Sequence, residues 1–462
     1  MHRSRTIALL VLAAGLTACA PAPRPGADQR VRIRYWEKWT GFEGEAMRRV
    51  VDAFNASQSR IFVDLLTVSQ VDQKLLLAAA GANPPDVAGL WSHNTHVYAD
   101  MNAIVPLDDL CRQAGIGERD YLPAIWDLCA YRGHVYALPT TPATIALHWN
   151  KRLFRAAGLD PERPPRTIEE LDAFAARLTR RDADGKILVA GFLPSEPGWW
   201  NWAWGCFFGG RLYDGQGKVT PDSPENVRAF EWVQSYAKRY STSAIQVFQS
   251  GFGNFSSPQN PFLSERVAME IQGVWMYNFI NKFAPKLEWG VAPFPYPADR
   301  PDLAGSSLVD MDTLVIPNGS PHPREAFEFI RFVQSPAGSE LLNLGQRKFT
   351  PLNALTPGFL AQHPHPYLRD FIALARGPRT FAPPKLAIWR EYGDEMGNAF
   401  SKIWLLEATP REALGAVRAR MQRKLERELR QKQRRTVASA SRRCPIDNRA
   451  GQATPTHEGR TP

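Results

Sequence analysis

A chain of 462 residues, 44% hydrophobic and 22% charged, has the length of two packed cores and a globular composition, which excludes disordered and fibrous classes. Its formal net charge of +10 is local: the last 52 residues hold 14 Lys/Arg against 5 Asp/Glu, so the rest of the chain is close to neutral. The body therefore offers nucleic acid no basic face, and no nucleic-acid partner is expected.

The first residues, MHRSRTIALLVLAAGLTAC, join a basic start at Arg3 and Arg5 to the apolar run Ile7 to Leu16, which is too short to span a bilayer as a mature helix. This pattern predicts an export signal over 1–19. Its end, Leu16-Thr17-Ala18-Cys19, resembles a bacterial lipoprotein box, so Cys19 would carry lipid and anchor the chain to a bilayer. Residues 20–30, APAPRPGADQR, read as a Pro-rich tether. The body opens on VRIRYWEKW, an alternating strand that would bury Trp36. A helical pattern, GEAMRRVVDAFNAS, follows with Met47, Val50, Val51 and Phe54 on one face. IFVDLLTV reads as a strand, KLLLAAAG as a helix, and DVAGLW as a strand ending near Trp91. This alternation predicts an α/β fold with a largely parallel sheet. Thr167-Ile168-Glu169-Glu170 and Thr409-Pro410-Arg411-Glu412 are capping boxes. Ser223-Pro224-Glu225 opens a helix toward Arg239 that holds Trp232 in the core, and Pro323 opens one through AFEFIRFV. The helix from Pro410 carries a stripe of Leu414, Val417, Met421 and Leu425 that should dock on the body, while 431–462 reads as a basic disordered tail.

Residues 196–210, EPGWWNWAWGCFFGG, put four tryptophans in six positions. Glu196-Pro197-Gly198 reads as a loop, and Trp199 as the start of a short helix closed by Gly209-Gly210. That helix would present Trp199 and Trp200 outward, leave Trp202 open, and bury Trp204, Phe207 and Phe208. Cys111, Cys129, Cys206 and Cys444 allow three pairings, of which Cys111–Cys129 is preferred. No metal site is expected. Asp182-Ala183-Asp184-Gly185 lacks the distal acid of a calcium loop and reads as a turn, and His363 and His365 stand without ligand partners.

The stations IRYWEKWTG, VVDAFNAS, ANPPDVAGLW, VPLDDL, HWNKRLFRAAGLD, ERVAMEIQGVW and LVIPNGSPHPREAFEFIRFVQSP, taken in order, resemble the family 1 extracellular solute-binding proteins of bacterial ABC importers, the maltose-binding-protein-like sugar binders. The resemblance implies a two-lobed periplasmic-binding-protein-like fold with a hinge, an interlobe cleft and lobes discontinuous in sequence. Lobe 1 would hold 31–140 and 305–345, and lobe 2 would hold 141–304 and 346–430. It implies a monomeric, non-enzymatic receptor, exported and lipid-anchored at the outer face of the cytoplasmic membrane or in the periplasm. That receptor would hand a small carbohydrate to a membrane permease and need no cofactor. Aromatic rings would meet sugar C–H faces, and polar groups the hydroxyls. Carried over by position, the ligand candidates are Trp39, Thr40, Glu43, Trp91, Ser92, Thr141, Glu196, Trp199, Trp200, Trp275, Ser307, Asp312 and Trp389. His93, Thr140 and Ser306 are weaker candidates, and Lys38 and Arg347 are the rare basic residues near these loops. Two alternatives stay open. The same fold can take a glycerol phosphate ester or another polar solute, and Glu43 with Glu196 could serve a glycoside-cleaving enzyme.

Overall fold

The computed structural model describes residues 30–443. The expected signal peptide, Cys19, most of the tether and Cys444 lie outside the described residues. The strands are β1 (Val31–Glu37), β2 (Ile61–Thr67), β3 (Val87–Trp91), β4 (Ala130–Tyr131), β5 (His134–Val135), β6 (Leu138–Asn150), β7 (Arg180–Arg181), β8 (Ile187–Phe192), β9 (Val267–Gly273), β10 (Trp289–Ala292), β11 (Ser307–Val315) and β12 (Thr380–Phe381). Hydrogen bonds link them in the order β2-β1-β3-β11-β6-β9-β8-β7, with β10 on β6, β12 on β11, and β4-β5 apart.

Two packed lobes share this sheet. In lobe 1, β1 pairs in parallel with both β2 and β3. Ile33 and Tyr35 point to one face, where Met47, Val50, Val51 and Phe54 of the helix Gly41–Ser57 meet Phe329 and Ile330 of Pro323–Gln334. Ala88 and Leu90 point to the other face, against Val71, Leu75 and Tyr98. In lobe 2, β8 pairs in parallel with β9. Its sheet lies between helices 168–178, 224–240 and 389–404 on one side and 123–129, 276–283 and 368–376 on the other. Each large side chain buried in these layers contributes roughly 1.5–3 kcal/mol.

The parallel pairing expected from the alternation holds for β1 with β2 and β3 and for β8 with β9, whereas β7 pairs antiparallel with β8, β6 antiparallel with β9, β10 and β11, and β11 antiparallel with β3. β6 pairs with β11 through residues 138–144, then with β9 through 145–149. β11 likewise runs from Leu308, in the lobe 2 core, to Leu314, in the lobe 1 core. A single strand that feeds two cores is covered along its whole length, and β6 is buried at every position, including Thr140, Thr141, Thr144, His148 and Asn150.

The capping signals act as read except that the Glu170 carboxylate accepts from Arg166 N at 2.8 Å rather than from Thr167 N, so that box closes on one side only. Thr167 accepts from Glu170 N at 3.2 Å and Ser223 accepts from Asn226 N at 3.4 Å. Thr409 and Glu412 cap each other reciprocally at 3.1 and 3.3 Å. Asp182 accepts from its own turn, so that segment is a turn.

Four expectations are corrected. Cys111 and Cys129 are free thiols. They serve different apolar clusters, and burial pushes the Cys111 thiol up to about 12 and raises that of Cys129. The C-terminal helix does not stop near residue 430 but runs Pro410–Arg443. Its expected apolar stripe docks with Leu414, Val417, Met421 and Leu425 all buried. Beyond that stripe Lys432 reaches Asp100 of lobe 1 at 2.6 Å, which gives a polar segment a tertiary anchor. Closer to its root, Arg418 meets Asp222 at 2.9 Å, Arg420 meets Glu395 at 2.5 Å, and Lys424 meets Glu391. Third, Trp199–Trp202 form turns rather than a helix, and only Trp204–Phe207 is helical. Gly198 enters with φ +85°, a left-handed conformation, and Ala203 N bonds Trp200 O at 2.7 Å in a tight turn. Trp36 is half-buried rather than buried.

Candidate ligand cleft

One wall of the cleft grows from the C-terminal ends of lobe 1 strands. β1 ends in Glu37, whose buried carboxylate accepts from the Tyr35 hydroxyl and from Lys38 N at 2.7 Å. Lys38 then turns its ammonium to Asp312 of β11 at 2.9 Å. Asp312 also accepts from the Thr141 hydroxyl at 2.6 Å and lies 3.7 Å from Lys348, which in turn holds Glu43 at 2.8 Å. Burial pushes the Asp312 carboxyl up, but Lys38 and Lys348 outweigh it and hold the group below the usual aspartate value. Burial works against both ammoniums as well. Asp312 and Glu37 raise Lys38, and Glu43 and Asp312 raise Lys348, above the usual lysine value. Asp312, Lys38 and Lys348 are therefore charged at neutral pH. Trp39 and Trp91 meet edge to face over this base, at 6.0 Å and 89°, with the Lys38 ammonium 5.1 Å from each ring. Asp310, two residues before Asp312, accepts from the Ser92 hydroxyl at 2.5 Å and faces His93, which stacks on Trp91.

The opposite wall is aromatic. Trp199, Trp200 and Trp275 form a triangle with ring separations of 5.6, 6.0 and 6.2 Å. Trp275 follows β9, and its indole lies flat over Gly273. A Cβ there would come within 2.3 Å of the ring, so the glycine of GVW is what lets the platform form. Trp202 stands edge-on to Trp389 at 5.1 Å. Phe255 and Phe279 extend the surface to Phe42 of lobe 1, 6.1 Å from Phe279, so the walls touch at the rim. Beneath this wall, Trp204, Phe207 and Trp232, which the sequence pattern placed in the core, pack with Phe294 into a buried aromatic base. Glu270 of β9 is also buried here, with no cation beside it and Oε1 unpaired among the described residues. Burial, then the nearby Glu196, raises its carboxyl well above the usual range, so it is neutral.

The walls enclose about 550 Å³, and seven of the chain's 14 tryptophans line the space. Of the predicted residues, Trp39, Glu43, Trp91, Thr141, Trp199, Trp200, Trp275, Asp312 and Trp389 meet there, with His93 beside them. Four do not line it. Thr40 is an exposed residue preceding helix Gly41–Ser57. Ser92 is buried behind Asp310. Ser307 spends its hydroxyl on the Ile145 carbonyl at 2.8 Å. Glu196 turns away to Gln249 at 2.6 Å, and burial raises its carboxyl. The weaker candidates Thr140 and Ser306 are buried outside the lining as well. Sequence reasoning missed Phe255, Phe279, Asp310 and Lys348. Among the described residues no cluster could hold a metal, and His363 and His365 are held low by burial, His365 at about 3.

Comparison with known proteins gives the same architecture. A structure of CpMnBP1 with mannobiose bound aligns with a TM-score of 0.75 at 30% identity, covering 84% of this chain and 99% of that one. UgpB of Mycobacterium tuberculosis, in complex with glycerophosphocholine, aligns with a TM-score of 0.69 at 20% identity, covering 86% and 99%. In sequence, the sn-glycerol-3-phosphate-binding periplasmic protein UgpB of Pectobacterium atrosepticum is 23% identical over 440 residues, 89% of this chain and 94% of its own. Residues 42–340 match the family described as bacterial extracellular solute-binding protein, and the chain belongs to that family.

Proposed function

We propose that this chain is the extracytoplasmic receptor of an ABC importer that captures a neutral oligosaccharide and delivers it to the membrane permease. The observation that carries this reading is the pairing of an indole-lined wall with a wall of fixed hydroxyl acceptors around one cavity. Indole faces suit the C–H faces of pyranose rings, and charged carboxylates are strong acceptors for hydroxyl donors. The space of about 550 Å³ suits a ligand of more than one ring. CpMnBP1, 30% identical, was solved with mannobiose and also with mannotriose bound, which supports the same ligand class.

The relatives that bind glycerol phosphate supply the second reading. It is disfavoured by charge: Glu43, Asp310 and Asp312 line the cavity against Lys348 alone, with Lys38 behind and already paired. A phosphate calls for arginine or unpaired lysine. A receptor is favoured over a glycosidase because Glu196 lies away from the cavity that Glu43 lines. Anchoring through an acylated Cys19 and monomeric action belong to this proposal too. The test is calorimetric titration with mannobiose, mannotriose, maltose and sn-glycerol 3-phosphate. Binding of a neutral oligosaccharide with none of the phosphate is expected. Preference for the phosphate would reverse the assignment, and turnover of an oligosaccharide would end the receptor reading.

A further inference from the structure

Helix Pro410–Arg443 packs on the body through Leu414, Val417, Met421 and Leu425, all buried. On the opposite side, at spacing i, i+4, i+7 and i+11, stand Arg423, Arg427, Arg430 and Arg434, all exposed. They form one row about 17 Å long. The basic residues turned toward the body are neutralised there, since Arg418, Arg420, Lys424 and Lys432 each meet a carboxylate of another element. The outward row is not. Arg430 has Glu426 of its own helix at 3.8 Å, and Arg423, Arg427 and Arg434 meet no carboxylate among the described residues. Like charges at these spacings repel one another, and an anionic partner relieves the repulsion. In sequence the excess grows toward the helix end, where residues 429–443 hold six Lys/Arg and no Asp/Glu. The rest of the chain is close to neutral, so this row sets the direction of the molecule's field.

The fold says which anionic surface lies within reach. β11 runs antiparallel to β3 with Val315 opposite Ala88, so the end of β11 sits by the start of β3. Just beyond it, Pro317 bridges Ile104 and Asn318 bonds Asn102 O, both directly after helix Ser92–Asp100. That helix therefore leads from Trp91 in the cleft to the strand-start end of lobe 1, and Asp100 lies there. β1 is parallel to β3, so Val31 starts at the same end. Lys432 binds Asp100, which brings the basic helix to the end of lobe 1 where residues 20–30 join the body. Eleven residues extend to at most about 40 Å, so a lipid on Cys19 would keep a bilayer close to the row. None of the four arginines lines the cleft.

We propose that the row Arg423, Arg427, Arg430 and Arg434 is a docking surface for the anionic headgroups of a bilayer, which lays the receptor against the membrane. The choice of partner rests on the anchored, extracytoplasmic reading above and not on the identity of the solute. The test is co-sedimentation of residues 20–462, which cannot be acylated at Cys19, with vesicles of phosphatidylcholine alone and of equal phosphatidylcholine and phosphatidylglycerol. The chain should sediment with the mixed vesicles only, and added salt should release it. The variant Arg423→Gln, Arg427→Gln, Arg430→Gln, Arg434→Gln should lose about 100-fold in partition coefficient. A matched variant, Lys286→Gln, Arg324→Gln, Arg331→Gln, Arg369→Gln, removes the same charge from exposed positions elsewhere and should lose far less. Equal losses in the two variants, or equal binding to both vesicles, overturn the proposal. Tighter binding to duplex DNA than to mixed vesicles at the same salt also overturns it and assigns the row to nucleic acid. Hydrogen exchange supplies a reading that needs no variant: mixed vesicles should slow exchange at 423–434, and slowing confined to other segments overturns the proposal. The full chain made in a lipidating host should sediment with phosphatidylcholine alone. Its failure to do so sinks the anchor at Cys19, whereas loss of the phosphatidylglycerol dependence sinks only the row.

Discussion

Two buried carboxyls stand behind the two walls of the cleft, and their surroundings push them in opposite directions. Asp312 has Lys38 at 2.9 Å and Lys348 at 3.7 Å and stays ionised below the usual aspartate range. Glu270 lies within a similarly buried strand with no cation beside it among the described residues, and burial and the nearby Glu196 raise its carboxyl well above the usual glutamate range. Burial is common to both, so the lysines decide the difference. One wall is therefore a fixed array of charges, and the other is apolar down to its acids. A ligand with polar edges and apolar faces matches the contrast.

The largest expected effect removes the base of the aromatic wall. Trp204→Ala should destabilise the fold by about 3–5 kcal/mol in chemical denaturation, while the folded fraction keeps its affinity for sugar. Equal losses of stability and affinity would show that base and platform are one unit. Trp275→Ala reverses the pattern: about 2 kcal/mol of binding, near 30-fold in Kd by calorimetry, is expected to go with the denaturation midpoint little changed. The third prediction uses pH. Glu270 has a raised folded pKa, so the stability it contributes is complete below the unfolded value of about 4.3 and falls as pH rises toward the folded value, by about 1.4 kcal/mol per unit. Glu270→Gln should remove that fall, so its gain in melting temperature at pH 8 should exceed that at pH 5. Asp312, with its folded pKa lowered, acts on the acid side, and its stabilisation is present above about 3.9 and lost as pH falls through the folded value. The smallest effect belongs to a half-buried pair: Lys432→Met should lower stability by under about 1 kcal/mol while hydrogen exchange near the end of its helix rises.

Much of this was legible in the chain. Alternation and capping residues fixed most elements, because strands and helix starts are local patterns. The ordered stations placed Trp39, Trp91 and Trp275 at strand ends, where the cleft lies. Asp310 had a usable signal, since it sits two positions from Asp312 on one strand and so shares its face. Lys348 had none. It gains its role from carboxylates 305 and 36 positions away, a juxtaposition that only folding creates. Ser307 and Glu196 failed for the converse reason. A sequence offers their polar atoms as free, whereas the fold commits them to Ile145 and Gln249. The helix expected from Trp199 gave way because Gly198 starts the stretch in a left-handed turn.

The C-terminal helix changes what ionic strength does to this molecule. Read as composition, its arginines and lysines are a surplus of positive charge. In the fold, four of them rest on carboxylates of the body, at Asp222, Glu395, Glu391 and Asp100. Screening acts over about 8 Å at physiological salt and reaches exposed pairs far more than buried ones. Added salt should therefore loosen the far end of this helix while the lysine pairs of the cleft, 3 and 4% exposed, hold. A single salt titration would separate the two kinds of ion pair within one chain, with helical signal declining and sugar affinity unchanged.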